Sequence, residues 1–486
     1  MSIRLGVGAA DRLGPDPDTI ADCVHCGFCL PSCPTYALWG EEMDSPRGRI
    51  QLMDRLVKGA EVDASTVDHF DRCLGCMACV TSCPSGVRYD ELISDTRARV
   101  EHTHHRSLTE RATREAIFAL FPYRERLRAI RPALRLYQRA GGDRLLSRLH
   151  LKDHLPQPLK TMAAVMPPAG PEHAIAERTP AVGSKRGTVA VLTGCVQQAF
   201  FSQVNLATVE VLAAEGFEVL APEQGCCGAL SGHSGRDDEA RGFARQTIEL
   251  FSDLGIDALV VNSAGCGSAI KEYGRLFAHR APVDDHPGST GPSGRERDSS
   301  RAGVQPGSLA GRAAALAAKT YDIAEFLAAH EPVATRHPLP LTVAYHDACH
   351  LAHAQGVRAA PRRLLEGIPG VEVAEIAEGD MCCGSAGVYN LLQPEAAAEL
   401  GRRKAANVEA TGADLLVAAN PGCILQISAA LRRRPAPGNT APSGAAPGNT
   451  APSGAQGATM PVAHTIEVLA ASISGRDPGY FSGSGR

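Results

Sequence analysis

The chain has no apolar run approaching the roughly 18 residues that a membrane-spanning helix needs, so any membrane attachment is expected to be peripheral. It shows no charged, apolar and small-residue leader after Met1, which points to a reducing cytoplasmic compartment and against disulfides. It also lacks an excess of positive charge. With 49 basic and 53 acidic side chains the net charge is −4, and no global field is available to neutralise phosphates, which excludes nucleic acid as an expected partner. No G-x-G-x-x-G follows a strand-like run, and no G-x-x-x-x-G-K-[ST] occurs, so neither a flavin nor a nucleotide has an evident site.

Cysteine is what the chain has in quantity. Eight of its sixteen cysteines fall in two copies of one pattern, Cys23-x2-Cys26-x2-Cys29-x3-Cys33-Pro34 and Cys73-x2-Cys76-x2-Cys79-x3-Cys83-Pro84. This is the two-cluster ferredoxin spacing, and it points to electron transfer. A cubane [4Fe-4S] cluster has four iron corners that each take one soft thiolate, and three cysteines on a tight loop reach three of them. In two-motif ferredoxins the last cysteine of each run crosses to the other cluster. The expected sets are therefore Cys23, Cys26, Cys29 and Cys83 for one cluster, and Cys73, Cys76, Cys79 and Cys33 for the second. Pro34 and Pro84 help the chain turn away from the metal, and Gly27 and Gly75 let the backbone approach sulfide. A structural zinc is the bland alternative, but zinc sites usually read as separated pairs rather than runs of four.

The other eight cysteines form a diverged duplication beyond Lys185. Cys195, Cys226-Cys227-Gly228 and Cys266 of the first half correspond to Cys349, Cys382-Cys383-Gly384 and Cys423 of the second, at offsets of 154, 156 and 157 residues. Apolar strand-like runs, Thr188 to Leu192, Leu259 to Val261, Leu341 to Ala344 and Leu415 to Ala418, each precede one of the single cysteines. Helical periodicities lie between them, at Asn205 to Glu215, Asp238 to Leu254 and Pro394 to Ala410. Alternating strand and helix implies βαβ units in a parallel sheet, with ligands gathered beyond the strands' carboxyl ends, where these cysteines stand. Each adjacent pair can face one site only from a turn, for which Gly225, Gly228 and Gly384 are suited. The eight can hold additional clusters, act as redox-active or structural thiols, or pack as small hydrophobes. His346, His350 and His353 cluster around Cys349, with His233 after the first pair. Any of them can ligate metal, relay a proton or hydrogen-bond loop backbone, and none is expected to be catalytic.

At 486 residues the chain is long enough for about three domains. The expected class is a multidomain α+β protein. A mostly helical two-[4Fe-4S] ferredoxin-type domain (1–100) comes first, followed by a basic helical linker (101–180). A duplicated α/β parallel-sheet region follows, divided as 181–335 and 336–476. From Arg106 to Arg148 eleven arginines face four acidic residues, which reads as basic amphipathic helices broken near Pro122, Pro132 and Gly141-Gly142. Such a stretch can dock an acidic partner, lie on anionic lipid or serve as a solvated linker. Residues 282–311 and the exact decapeptide repeat at 436–455 are expected to be flexible insertions within the two halves, because neither can bury enough apolar surface to order itself.

The run from Cys23 to Tyr36, the segment Asp44-Ser-Pro-Arg-Gly-Arg-Ile50 and Cys83-Pro-Ser-Gly-Val-Arg-Tyr89 resemble the glycolate oxidase iron-sulfur subunit, as does the doubled Cys-Cys-Gly region. The resemblance covers nearly the whole chain apart from the two insertions. It implies a non-substrate-binding subunit that passes electrons from flavin-bearing partners, which oxidise glycolate to glyoxylate, toward a quinone or another acceptor. Hydride removal then happens on the partner. Relatives with the same halves include iron-sulfur subunits of anaerobic glycerol-3-phosphate dehydrogenase, lactate-utilisation proteins and the cysteine-rich chain of heterodisulfide reductase. The last implies an alternative reading, a self-contained reductase of a disulfide or quinone, built on noncubane clusters with a final Cys-x-x-Cys. Here Ser263 and Asn420 stand at the first cysteine of those pairs, which departs from that pattern.

Overall fold

The computed structural model describes residues 14–142, 170–278, 307–433 and 460–481, together with 148, 154, 157–167 and 305. Among them no helix is long and apolar enough to cross a membrane.

The N-terminal region is a set of short helices whose starts follow from local chemistry. Asp16 caps Pro17–Ala21, Ser45 caps Pro46–Val57 and Asp63 caps Ala64–Asp71, each side-chain oxygen accepting from an amide that has no helical partner. Pro34 opens Pro34–Trp39 directly after Cys33, at a position where its missing N–H costs nothing. Met53, Leu56, Phe70, Leu92 and Ile93 close a core between these helices and Tyr89–Thr103. At the end of Pro34–Trp39 the Arg72 guanidinium lies 5.2 Å from the centre of the Trp39 ring.

The arginine-rich stretch forms Leu108–Leu120 and Arg124–Arg139, separated at Pro122. Pro132 breaks nothing, contrary to the sequence expectation, and lies inside Arg124–Arg139. A proline there removes one hydrogen bond to the Arg128 carbonyl. It sits on the exposed side, where that carbonyl can turn to water, while Arg128 and Arg131 tie the same turns to Glu172 at 2.6 and 2.8 Å. Nor is the stretch a free basic face. Arg106 pairs with Asp71 at 2.7 Å and with Glu110, and Arg114 pairs with Glu101 at 2.8 Å, so much of its charge is consumed inside the molecule.

Two sheets follow. The first contains β1 (Arg178–Thr179), β2 (Gly187–Leu192), β3 (Phe217–Leu220), β4 (Ala258–Val261) and β5 (Thr320–Asp322) in the order β1-β3-β2-β4-β5. Only β1 runs antiparallel to its neighbour, and it lies upstream of the boundary expected at 181. The second contains β6 (Leu341–His346), β7 (Val371–Glu375), β8 (Leu415–Ala418) and β9 (Val462–His464) in the order β7-β6-β8-β9, all parallel. The strands β2, β4, β6 and β8 are apolar runs because both faces of a parallel sheet are covered by helices, here Ser202–Ala214, Asp237–Ser252 and Pro394–Glu409 among others. In both sheets the winding reverses between the two central strands, β2 and β4 or β6 and β8. That is the position where such folds leave a crevice. The insertions expected at 282–311 and 436–455 lie outside the described residues, except that Leu309–Ala318, capped by Ser308, begins at the end of the first.

The halves meet at their crevice edges. The Ala264 amide donates to the Ala419 carbonyl at 3.3 Å, Gln355 reaches the Ala264 carbonyl at 2.9 Å, and His464 Nε2 reaches the Asn262 carbonyl at 2.9 Å.

Candidate metal centres

The two ferredoxin-type loops share one backbone. Cys23, Leu30 and Cys33 donate to the carbonyls of Ile20, Gly27 and Leu30, and their equivalents Cys73, Val80 and Cys83 donate to Phe70, Met77 and Val80. Each loop passes twice through the left-handed region. His25 and Gly27 do so in the first, Gly75 and Met77 in the second, so glycine takes one of the two positions each time. The loops meet where Ser32 Oγ and Ser82 Oγ, equivalent atoms, lie 2.7 Å apart. This contact brings the last cysteine of each run beside the other loop. Cys83 lines a cavity with Cys23, Cys26 and Cys29, while Cys33 lies close to Cys73, Cys76 and Cys79. Four soft donors converge at each place, a set that suits iron.

The surroundings of the two places differ. Cys26 is exposed and Cys23, Cys29 and Cys83 are half-buried, with Val24 and Phe28 open to solvent beside them. Cys33, Cys73, Cys76 and Cys79 are all buried. Burial pushes the Cys76 and Cys79 thiols well up, so a bound metal has to supply the charge that ionises them. Burial also raises Cys73, but Arg49 and Arg97 outweigh it and leave that thiol lowered.

Arg49 explains the Asp44 to Ile50 segment. It is fully buried and donates to the Asp44 carbonyl at 2.6 Å, to Thr35 Oγ1 at 3.2 Å and to the His69 carbonyl at 2.6 Å. Thr35 Oγ1 in turn lies 3.3 Å from Cys33 Sγ. Asp44, also fully buried, is paired with Arg49, His69 and Arg72 at 3.3, 2.9 and 3.0 Å. Arg47 works on the outer loop instead, holding the His25 carbonyl at 3.2 Å while paired with Glu42 at 2.6 Å. Gly48 is required because a Cβ there would lie 2.0 Å from the Glu42 carbonyl oxygen.

In each half the four cysteines converge at the crevice. Cys195 Sγ is 3.7 Å from Cys226 Sγ, and Cys227 contacts Cys266. In the second half Cys349 contacts Cys382, and Cys383 contacts Cys423. The turns that allow adjacent cysteines to share a site rest on Gly228 and Gly384, at φ +83° and +88°. An added Cβ would press on the carbonyls of Ala240 and Ala397 at 2.9 and 2.7 Å. Gly225 has no such conformation. Ser263 and Asn420 face one another across the halves at 3.5 Å, and Asn420 Nδ2 also lies 3.6 Å from Cys423 Sγ.

The second half carries polar groups that the first lacks. His346, Cys383 and Cys423, all buried, place one ligand atom each within 4.8 Å of the others. Lys404 is buried nearby and donates to the carbonyls of Glu378 at 2.6 Å and Gly379 at 3.3 Å. In the first half Leu192 and Thr247 occupy these positions. His353, by contrast, spans Thr81 at 2.8 Å and the Asp380 carbonyl at 3.2 Å, and His233 stacks on His350 with centroids 4.6 Å apart. The sequence singled out His346 only as one of a group. Arg49 was legible only as part of the Asp44 to Ile50 segment, and Arg97 and Lys404 gave no signal beyond an ordinary basic side chain.

The ferredoxin-type region is docked on both halves. Arg97 donates to the carbonyls of Cys73 and, at 2.9 Å, His233. On the other side Leu74, Cys76 and Ala78 pack in one apolar cluster with Cys349, Cys382, Tyr389 and Leu400, so the inner ferredoxin site and the second-half site share a wall.

Residues 19–87 match the 4Fe-4S dicluster domain family, 109–166 the linker region of the glycolate oxidase iron-sulfur subunit, and 189–271 and 343–428 the cysteine-rich CCG domain. The chain is 36% identical to the probable glycolate oxidase iron-sulfur subunit of Bacillus subtilis (strain 168), over 86% of this chain and 90% of that protein. It is 33% identical to the glycolate oxidase iron-sulfur subunit of Escherichia coli (strain K12), over 84% and 90%. Lactate utilization protein A of Shouchella clausii is 32% identical over 50% of this chain and 92% of its own. With four-thiol sites at the places these families match, and with relatives aligned over most of both chains, the protein belongs to the glycolate oxidase iron-sulfur subunit family.

Proposed function

We propose that this chain is the iron-sulfur, electron-transfer subunit of a flavin-dependent glycolate dehydrogenase complex. In this reading Cys23, Cys26, Cys29 and Cys83 hold an outer [4Fe-4S] cluster, and Cys73, Cys76, Cys79 and Cys33 hold an inner one. The Cys-Cys-Gly thiols Cys195, Cys226, Cys227 and Cys266, and Cys349, Cys382, Cys383 and Cys423, hold further clusters. Such clusters supply one-electron carriers; the chain's own part is to arrange their sites in series. The observation that carries the reading is that series: an exposed site, a buried one and a second-half site packed directly against it. The open rim at Val24 and Phe28 suits a flavin-bearing partner, and a quinone or other acceptor is then served from the halves.

A subunit serving lactate is the second reading, favoured by the match to lactate utilization protein A. A self-contained disulfide reductase fits less well, because Cys226, Cys227, Cys382 and Cys383 are at most 3% exposed and offer a bulky disulfide no access. The test is an anaerobic pull-down of the tagged chain from its native host, assayed for dye reduction with glycolate, lactate and glycerol 3-phosphate. Glycolate activity with a co-purified flavoprotein is expected. Glycolate turnover by the partner-free chain, or brown protein without partner or activity, refutes the proposal.

A further inference from the structure

The two halves differ at the end of their first strand. β2 ends on Leu192, a residue that asks nothing of its surroundings, whereas β6 ends on His346 at the equivalent place. His346 is 1% exposed, and neither ring nitrogen has a hydrogen-bond partner among the described residues. Leaving a buried polar group unpaired is costly, and the first half avoids that cost with leucine. The ring faces Cys383 and Cys423 closely enough for all three to reach one metal atom, and two thiolates with an imidazole suit iron.

We propose that His346 is an iron ligand in the second-half site, beside Cys349, Cys382, Cys383 and Cys423, whereas the first-half site is ligated by thiolate alone. The inference rests on the iron-sulfur reading of the halves given above. It accounts for the orphaned imidazole, and it makes the two duplicated sites chemically unequal. Nitrogen is a neutral donor where sulfur is anionic, so a cysteine put in the place of His346 is expected to lower that cluster's potential.

The full chain, reconstituted anaerobically with iron and sulfide, is prepared with natural-abundance and with 15N-labelled histidine and studied by pulsed electron paramagnetic resonance after reduction. The expected result is a strong nitrogen coupling that changes with the label. It should persist in Cys226→Ser and vanish in Cys382→Ser and His346→Leu. His346→Cys should keep the iron content while shifting that cluster's midpoint potential downward. Labelling needs no substitution, so a misfolded variant cannot mask the answer. Iron in the second half without histidine coupling, or coupling that survives His346→Leu, overturns this inference alone. A second half that takes up zinc or nothing overturns both it and the reading beneath it.

Discussion

The two Cys-Cys-Gly halves share a frame of four parallel strands, equivalent Cys-Cys-Gly turns and the same four cysteines, yet Leu192, Thr247 and Tyr273 of one stand where the other has His346, Lys404 and Ala430. Where the first half caps its site with the Tyr273 hydroxyl on the Cys227 carbonyl at 2.5 Å, the second brings a buried ammonium and an imidazole. The helices that follow the last strands differ likewise. Ile323–Ala328 is capped by Asp322 and Thr465–Ile473 by His464, each with a glutamate completing the box. Duplication preserved the frame that gathers thiols; what lies around them diverged.

The strongest way to break this comparison is to remove one thiol from each half. Cys382→Ser should reduce acceptor reduction by the assembled complex at least ~100-fold, beyond what outer-sphere changes usually do, while Cys226→Ser should cost less than ~10-fold. Equal losses would show that both halves lie on the route. Lys404→Met removes a buried ammonium that donates to two part-buried carbonyls and should lower stability by about 2 kcal/mol in denaturant titration, against about 1 kcal/mol for Thr247→Val. Gly228→Ala and Gly384→Ala provide the symmetric control. Each forces a side chain into left-handed backbone and onto a helix carbonyl, and each should cost about 2 kcal/mol, nearly the same in both halves.

The caps give a pH signature of opposite sign. Burial raises Asp322 to about 7, so the folded state holds its proton more tightly than the unfolded one. The associated stability is complete below the ordinary carboxylate range and lost as pH rises toward 7. Burial lowers His464 to about 4, and there stability is complete above the ordinary imidazole range and lost as pH falls toward 4. Asp322→Asn should flatten the first slope and His464→Asn the second, each by at most about 1.4 kcal/mol per pH unit in denaturation series. Slopes of the same sign would refute this assignment.

Much of this was legible in the sequence. The central strands β2, β4, β6 and β8 stand where apolar runs precede cysteines, because parallel strands buried on both faces must be continuously apolar. The duplication was visible in cysteine spacing alone, and the convergence of thiols followed from where such sheets bind ligands. What escaped depends on distant partners. Pro132 looked like a helix breaker because its tolerance comes from exposure and from Glu172, far along the chain. The arginines from Arg106 onward looked like a docking face because Asp71 and Glu101 are paired with them only in the fold. Nothing local distinguishes His346 from its neighbours His350 and His353. Its role emerges only where β6 brings it against Cys383 and Cys423.

Trp39 is the only tryptophan in the chain, and it stands six residues after Cys33 at the end of the helix that leaves the inner site. Iron-sulfur chromophores absorb broadly through the near ultraviolet and visible, so a cluster held by Cys33 is expected to quench the indole's emission. Ultraviolet fluorescence should then be dim when clusters are in place and brighter when they are stripped, an internal gauge of assembly and oxygen damage that needs no label.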